Sequence, residues 1–407
     1  MSPAATSVAI TGLGVAAPNG LGTEDYWAAT RVGKSGIGPV SRFRTDGYPA
    51  TLAGEVPGFE AADHLPSRLL PQTDHMTRLA LAAADWALAD ADVDPSARDG
   101  FDMGVITAAS SGGFEFGQNE LRKLWSQGSQ HVSAYQSFAW FYAVNSGQIS
   151  IRNNMKGPSG VLVADGAGGL DALAQARRAI RKGTGLVLSG AVDASICPWG
   201  WAAMLTSGRL STRDRPERAF LPFDRDASGH VPGEGGALLV LEDTKAARRR
   251  GAHVYGTLDG CASTFDAAPS RDGTGGLERA IRIALADADA TPAVVDVVFA
   301  DAAAVPELDR AEADALRAVF GERGVPVTAP KTMTGRLYSG AAPLDVATTL
   351  LAMAEGIIPP TVHSRPDPGY GLDLVTGEPR TAEVRCALVL ARGHGGFNSA
   401  AVLRAAD

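Results

Sequence analysis

The stretch Pro222–Gly235 reads PFDRDASGHVPGEG, and three of its last seven residues are glycine. Glycine adopts backbone conformations that other residues avoid, so such a segment is typical of a tight loop. The apolar run Ala237–Leu241 follows almost directly, and a short apolar run next to glycines is typical of a buried strand. We therefore predict a glycine-rich loop that leads into a strand of the core.

Outward from this segment, short β-rich runs alternate with alanine-rich helical stretches. The other predicted strands are Val8–Ile10, Met103–Thr107, Val161–Val163, Leu186–Ser189, Val254–Leu258, Val294–Phe299, Val325–Thr328, Cys386–Leu390 and Ala401–Leu403. The predicted helices are Thr73–Ala91, Leu170–Arg181, Leu277–Asp287, Ala311–Phe320 and Leu344–Ala354. This alternation indicates a layered α/β fold. The element order is alike on both sides of a break near 245–252, which predicts two halves, 1–250 and 251–407.

Composition excludes several classes of function. The net charge of −8 argues against a nucleic-acid partner, which usually meets a basic face. No apolar run reaches the roughly 20 residues that span a bilayer. Residues 1–7 show no signal-peptide pattern, so we expect a cytoplasmic protein. The three cysteines lie far apart and the histidines lack metal-ligand spacing, so neither a disulfide framework nor a metal site is expected.

Five segments in order resemble the β-ketoacyl-synthase branch of the thiolase superfamily. They are Val8–Gly14 with Pro18–Gly20, then Gly168–Ala172, Pro222–Gly235, Lys331–Gly335 and Gly393–Ser399. One such motif would be weak evidence, whereas five in register span almost the whole chain. The resemblance implies a duplicated, five-layer α-β-α-β-α thiolase fold that acts as a dimer, and it implies no cofactor.

The catalytic positions of that family are altered here. A ketosynthase carries its acyl chain on a cysteine at the start of a buried helix, where the helix dipole favours the thiolate. The matching position is Gly166, which cannot be acylated, and Asp165 precedes it. The two catalytic histidines are matched by Asp301 and Arg336. We therefore predict no catalytic residues at this site.

Two interpretations of the altered positions remain open. The favoured interpretation is that Asp301 and Arg336 form an ion pair that fills the vacant catalytic space. The alternative is that they form a new acid–base site. Lys331, with Glu312 as its candidate partner, stands where the family has a supporting ion pair. This retention indicates a preserved scaffold rather than preserved catalysis.

Loss of all three catalytic side chains on intact fold motifs is the pattern of the chain-length factor, or ketosynthase beta subunit (KSβ), of bacterial type II polyketide synthases. Ser111–Gly117, Lys123–Trp125 and Pro330–Gly340 resemble that subfamily specifically. The resemblance implies a heterodimer with a catalytic ketosynthase (KSα) that elongates a malonyl-derived polyketide chain carried on an acyl carrier protein. Many relatives have glutamine at the position of Gly166, so a priming role is in doubt.

The resemblance also places a chain-length gate at Phe114, Gly117 and Leu121, whose spacing of three and four puts them on one helical face. Members of the subfamily with short products carry larger residues at the second and third positions. Gly117 and Leu121 therefore predict a tunnel for a decaketide or a longer chain. The alternatives are the same role in a reduced-polyene system, an independent acyl-thioester hydrolase built from Asp301, Arg336 or Cys197, and a stand-alone structural homodimer.

Overall fold

The computed structural model describes residues 7–266 and 275–406. Ten strands build the core, five from each half of the chain. Those of the first half are β1 (Val8–Ala17), β2 (Met103–Ala108), β3 (Ser159–Leu162), β4 (Leu186–Asp193) and β5 (Gly235–Asp243). Those of the second half are β6 (Gly256–Phe265), β7 (Val297–Phe299), β8 (Pro326–Thr328), β9 (Cys386–Arg392) and β10 (Phe397–Ala405).

The two halves repeat one strand topology. The first half runs β3-β2-β4-β5-β1, and the second runs β8-β7-β9-β10-β6, which is the same order of elements. In each half the first three strands along the sheet are parallel and the remaining pairings are antiparallel. The halves join where Ala9 pairs with Thr257 and Ile10 with Gly256. The repetition indicated by the sequence is therefore a repetition of sheet topology.

Helices form three layers around these strands. The helices of eight or more described residues are α1 (Thr23–Thr30), α2 (His75–Asp90), α3 (Phe114–Gln127), α4 (Val144–Arg152), α5 (Gly168–Arg181), α6 (Pro198–Leu205), α7 (Gly276–Asp287), α8 (Pro306–Phe320) and α9 (Ala341–Glu355). Helices α5 and α9 contact each other and strands of both halves, so they form the middle layer. Helices α2 and α4 cover the first half, and α7 and α8 cover the second. The predicted five-layer α-β-α-β-α fold is thereby confirmed.

Shorter elements complete the described chain. The strands are Gly20–Leu21, Ile37–Pro39, Leu52–Gly54, Ile357–Ile358, Asp373–Leu374 and Arg380–Thr381, and the short helices are Ala61–His64, Gln136–Ala139, Pro216–Ala219 and Thr244–Arg249. None of the described helices is long and apolar enough to cross a membrane.

Glycine sets the close approach of the two middle helices. A Cβ on Gly169 of α5 would collide with Pro343 of α9 and with the Ser339 carbonyl. Gly168 lies next to it, where a Cβ would be 3.2 Å from that of Ala108 in β2. Close helix packing explains these glycines, and it fixes the start of α5, which is where the family's nucleophile stands.

Several strand boundaries differ from the sequence prediction. β1 continues through Thr11–Ala17, past the predicted end at Ile10, and so includes Gly12 and Gly14. Both glycines lie against α2, where a Cβ on either would collide with backbone carbonyls of Ala87 and Ala83 respectively. They are therefore contacts between sheet and helix rather than turn residues. β6 begins at Gly256, two residues after the predicted Val254, and the N–H of Tyr255 donates to the carbonyl of Ile10 directly before the strand.

Candidate functional site

The position of the missing nucleophile is a single tight turn, Asp165–Ala167, directly before α5. Gly166 in this turn is buried. A Cβ placed on Gly166 would be 2.5 Å from the carbonyl oxygen of Arg392 and 3.2 Å from Nη2 of Arg336. Real Cβ atoms do not approach backbone oxygens so closely, so this turn cannot accept a side chain without movement of its neighbours.

Asp301 and Arg336 form the predicted ion pair. Arg336 donates from Nη2 to Oδ1 of Asp301 at 2.9 Å and from Nη1 to Oδ2 at 3.2 Å. The backbone of Arg392 closes the arrangement, because its N–H donates to Asp301 Oδ1 at 2.9 Å and its carbonyl accepts from Arg336 Nη2 at 2.8 Å. Both ionic side chains are buried, with 6% and 10% of the side chain exposed for Asp301 and Arg336. The ion pair of the favoured interpretation is thus observed, and both side chains also line an open cavity.

The surrounding charges keep both members of this pair ionised. Burial by itself would raise the pKa of Asp301, but the positive charges of Arg336, Lys331 and Arg392 hold it below its ordinary value. Burial likewise opposes the charge of Arg336, and the carboxylate of Asp301 raises its pKa above the ordinary value. An acid–base catalyst must exchange protons near neutral pH, so this pair is unsuited to that role.

The predicted ion pair between Lys331 and Glu312 is wrong. Nζ of Lys331 instead lies 2.7 Å from Oδ2 of Asp345 in α9, and it also donates to the carbonyl of Ala300. Glu312 accepts the backbone N–H groups of Asp301 at 2.7 Å and Ala302 at 2.9 Å. Glu312 therefore stabilises the loop that presents Asp301, because its carboxylate supplies the acceptors that this buried backbone needs.

Sequence reasoning missed a further buried carboxylate at the site, Asp193. Its oxygens accept the backbone N–H groups of Ser110 and Ser339 and the hydroxyl of Ser339. Burial raises the pKa of Asp193 to about 6 despite these hydrogen bonds. Asp193 ends β4, which extends four residues past the predicted strand Leu186–Ser189, so the sequence prediction did not place this carboxylate at a strand end.

His230 lies beside the ion pair and is 6% exposed. Neither ring nitrogen has a hydrogen-bond partner among the described residues. Burial, reinforced by the charge of Arg336, lowers the pKa of His230 to about 3. The imidazole is therefore neutral at physiological pH.

A cavity of about 960 Å³ lies next to these residues. Its polar wall includes Asp165, Arg336 and Tyr338, and its apolar wall includes Phe114 and Met204. The volume is at the upper end of the about 300–1,000 Å³ that is usual for small-molecule sites. The cavity thus extends from the altered catalytic positions to the first residue of α3.

Helix α3 carries the three predicted gate residues in different surroundings. The ring of Phe114 stacks on that of Trp199, with centroids 4.8 Å apart and planes inclined by 12°. Gly117 is buried, and a Cβ on it would be 3.0 Å from Cζ3 of Trp199 and 3.4 Å from Cβ of Trp140. Leu121 is 38% exposed. The space that the sequence assigned to the small residue Gly117 is therefore taken up by Trp199.

Cys197, the candidate nucleophile of the hydrolase alternative, is a structural residue. It caps the N-terminus of α6, where its sulfur accepts the N–H of Gly200 at 3.4 Å. Burial raises the pKa of its thiol to about 11, which leaves the reactive thiolate scarce. No cluster of residues among those described has the composition of a metal site.

Comparison with known proteins identifies the family. Residues 5–247 match the beta-ketoacyl synthase N-terminal domain, and residues 255–365 match the C-terminal domain. A relative from Streptomyces coelicolor named for the actinorhodin polyketide is 63% identical over 98% of each chain. The tetracenomycin polyketide synthase ketoacyl synthase beta subunit of Streptomyces glaucescens is 60% identical over 98% of each chain.

A solved structure described as the ishigamide ketosynthase/chain length factor matches with a TM-score of 0.91 and 28% identity, over 99% of this chain and 100% of that one. The chain therefore belongs to the β-ketoacyl synthase family. Its altered catalytic positions and its relatives place it among the ketosynthase beta subunits, the chain-length factors of type II polyketide synthases.

Proposed function

We propose that this chain is the non-catalytic partner of an active ketosynthase, and that it shapes the tunnel in which the polyketide chain grows. The observation that carries the proposal is the occupied nucleophile position. Arg336 and the backbone of Arg392 fill the space into which a side chain at Gly166 would extend. Covalent acyl transfer requires a nucleophile there, so elongation has to take place on the partner.

An aromatic-rich face supports a partner subunit. We call it the α3 face, and it is formed by exposed large apolar side chains on and just after α3: Leu121, Trp125, Tyr135, Trp140, Phe141 and Tyr142. Trp125 is 83% exposed. Large apolar patches on a protein surface mark interaction sites, and aromatic residues are enriched at protein interfaces.

The comparisons favour a ketosynthase as the occupant of this face. The ishigamide structure is described as a ketosynthase together with a chain length factor, and it matches along almost the whole of this chain. A second solved structure, AntDE:AntF, is described as a type II acyl-carrier protein in complex with its ketosynthase bound to the hexaketide, and it matches with a TM-score of 0.89 and 29% identity over 99% of this chain. Our proposal accordingly includes an acyl carrier protein and a malonyl-derived chain, in the cytoplasm.

The gate assignment belongs to the same proposal. Phe114, Gly117 and Leu121 follow one another along one side of α3, and Leu121 lies on the α3 face. We propose that a chain growing on the partner ends against this side of the helix and that a decaketide or longer product fits. Trp199 joins the gate, because its ring lies over Gly117 and stacks on Phe114.

Co-purification and turnover test this function together. The chain should form a one-to-one heterodimer with a type II ketosynthase subunit, measured by light scattering, and the pair should elongate malonyl groups on an acyl carrier protein. The chain alone should not turn over acyl thioesters. Thioester hydrolysis by the isolated chain that is lost in Asp301→Asn would instead support the hydrolase alternative. A homodimer that ignores an added ketosynthase would contradict the proposal.

A further inference from the structure

Two polar side chains at the altered catalytic positions have no hydrogen-bond partner among the described residues. They are His230 and Tyr338, and both line the cavity of about 960 Å³. The two ring nitrogens of His230 and the hydroxyl of Tyr338 are shielded from solvent and bonded to no described residue. The two rings meet edge to face, with their centroids 6.2 Å apart. Since a buried polar group without a partner destabilises the folded state, a ligand that bonds to these groups recovers the lost free energy.

The backbone holds both side chains in place. The N–H of His230 donates to the carbonyl of Arg209 at 2.9 Å. Tyr338 has a φ of 52°, in the left-handed region that residues other than glycine rarely adopt. The next residue is anchored, because the N–H of Ser339 donates to Oδ2 of Asp193 at 3.0 Å. Strained residues of this kind cluster at functional sites, so the two unpartnered side chains belong to an ordered part of the cavity wall.

The charges that line the cavity balance. Three of its described lining residues are arginines and three are aspartates: Arg209, Arg336, Arg392, Asp165, Asp266 and Asp301. His230 adds no charge, because burial lowers its pKa to about 3, and His394, the other lining histidine, is exposed to solvent. The wall therefore has no excess charge to offset that of an ionic ligand, which would lose its hydration on entry. An uncharged ligand is favoured.

The apolar part of the wall favours an aromatic ligand. Met204 lines it, and the rings of Phe265 and Phe397 meet there edge to face with centroids 5.0 Å apart. Aromatic rings and thioether sulfur atoms both make favourable contacts with a further aromatic ring. A neutral imidazole offers one donor and one acceptor, and a phenolic hydroxyl offers both. A hydroxyl group on the ligand can therefore donate to one of the two unpartnered side chains and accept from the other.

We propose that the altered catalytic cavity binds an uncharged, hydroxylated aromatic compound, whose hydroxyl group forms hydrogen bonds with His230 and Tyr338. This binding site goes beyond the proposed function and does not depend on it, because it lies within this chain. The proposed function supplies a source of such ligands, since a poly-β-keto chain that cyclises and loses water becomes a phenol. The cavity of this non-catalytic chain is then a ligand site in its own right.

Binding of three naphthalene compounds to the purified chain, measured by isothermal titration calorimetry, tests the proposal. 1-Naphthol has the expected chemistry, 1-methoxynaphthalene has the same rings but no hydroxyl hydrogen to donate, and 1-naphthoate is an anion. We expect saturable binding of 1-naphthol and at least about tenfold weaker binding of the other two compounds. This comparison uses the unmodified chain, so it is informative even if a variant does not fold.

Variants of the chain locate the binding site. Tyr338→Phe removes one hydroxyl and His230→Phe removes both ring nitrogens, and each should weaken binding of 1-naphthol by about tenfold. Tyr48→Phe is the matched control, because Tyr48 does not line the cavity, and its affinity should equal that of the unmodified chain.

Four outcomes overturn the proposal. They are no saturable binding of 1-naphthol, equally tight binding of either comparison compound, unchanged affinity in either cavity variant, and an equal loss in Tyr48→Phe. Failure of the proposed function is distinct, because it is measured as absent pairing or elongation with a ketosynthase, whereas this binding is measured on the chain alone.

Discussion

Nη2 of Arg336 lies 3.2 Å from the point at which a side chain on Gly166 would begin. The same nitrogen donates to Asp301 and to the carbonyl of Arg392. The three altered catalytic positions therefore lie in one arrangement: the arginine that replaces one histidine pairs with the aspartate that replaces the other. The carbonyl oxygen of Arg392, 2.5 Å from the Cβ position of residue 166, and Nη2 of Arg336 together leave room only for glycine there.

Restoring the cysteine should fail because of this arrangement. Gly166→Cys introduces a Cβ into occupied space, and overpacking of this kind costs about 1–3 kcal/mol. We expect a lowered unfolding temperature and no acyl-enzyme by mass spectrometry. The matched comparison is Gly166→Ala in the unmodified chain and in an Arg336→Ala background, where the destabilisation should be smaller by about 0.5 kcal/mol or more. Equal destabilisation in both backgrounds would mean that the side chain of Arg336 does not restrict residue 166.

Removing one charge of the Asp301–Arg336 pair should lower the free energy of unfolding more than removing both charges. Arg336→Met leaves a buried carboxylate without its main counter-charge, which typically costs about 3–5 kcal/mol. The double variant Asp301→Leu with Arg336→Met removes both charges, so we expect it to be closer to the unmodified protein than Arg336→Met is. Urea unfolding of the three proteins measures this. A double variant less stable than the single one would show that the ion pair itself stabilises the fold.

His230 should make the protein sensitive to mild acid. Its pKa of about 3 in the folded state lies below the value of about 6.5 in an unfolded chain. The unfolded chain then binds the proton more readily, so folding stability is lost as pH falls from about 6.5 towards 3, at up to about 1.4 kcal/mol per pH unit. His230→Phe should flatten this dependence in thermal unfolding between pH 7 and pH 5. An unchanged slope would indicate that the imidazole gains a partner on folding.

A charge on the α3 face should prevent heterodimer formation. Trp125 is 83% exposed in the free chain, and Trp125→Glu would bury an unpaired carboxylate if this face is covered by the partner. We expect at least a hundredfold loss of affinity for the ketosynthase, equivalent to about 2.7 kcal/mol, with normal far-ultraviolet circular dichroism. Val32→Glu is the control, because Val32 is 67% exposed and lies outside this face. Equal affinity of the two variants would place the interface elsewhere.

The sequence was sufficient for the fold because its motifs mark backbone requirements. Gly169 and the glycines of Pro222–Gly235 lie where side chains would collide with neighbouring backbone. Such a requirement for glycine can be recognised in the sequence itself. Ion-pair partners cannot be recognised in this way, because they depend on which helices and strands pack against each other. Lys331 was assigned to Glu312, whereas α9 brings Asp345 to it. Trp199 could not be linked to Gly117 from sequence, because only the packing of α6 against α3 brings them together.

The central claim is that this non-catalytic chain sets product length through one side of α3. Product length from the co-expressed heterodimer tests it most directly, with Leu121→Phe and Gly117→Thr compared with the unmodified chain. Asn119→Phe adds more bulk than either change, at an exposed position of the same helix, and serves as the control. We predict shorter polyketides from the first two variants and an unchanged length from the third. Unchanged product length in all three, with normal assembly and turnover, would contradict the account.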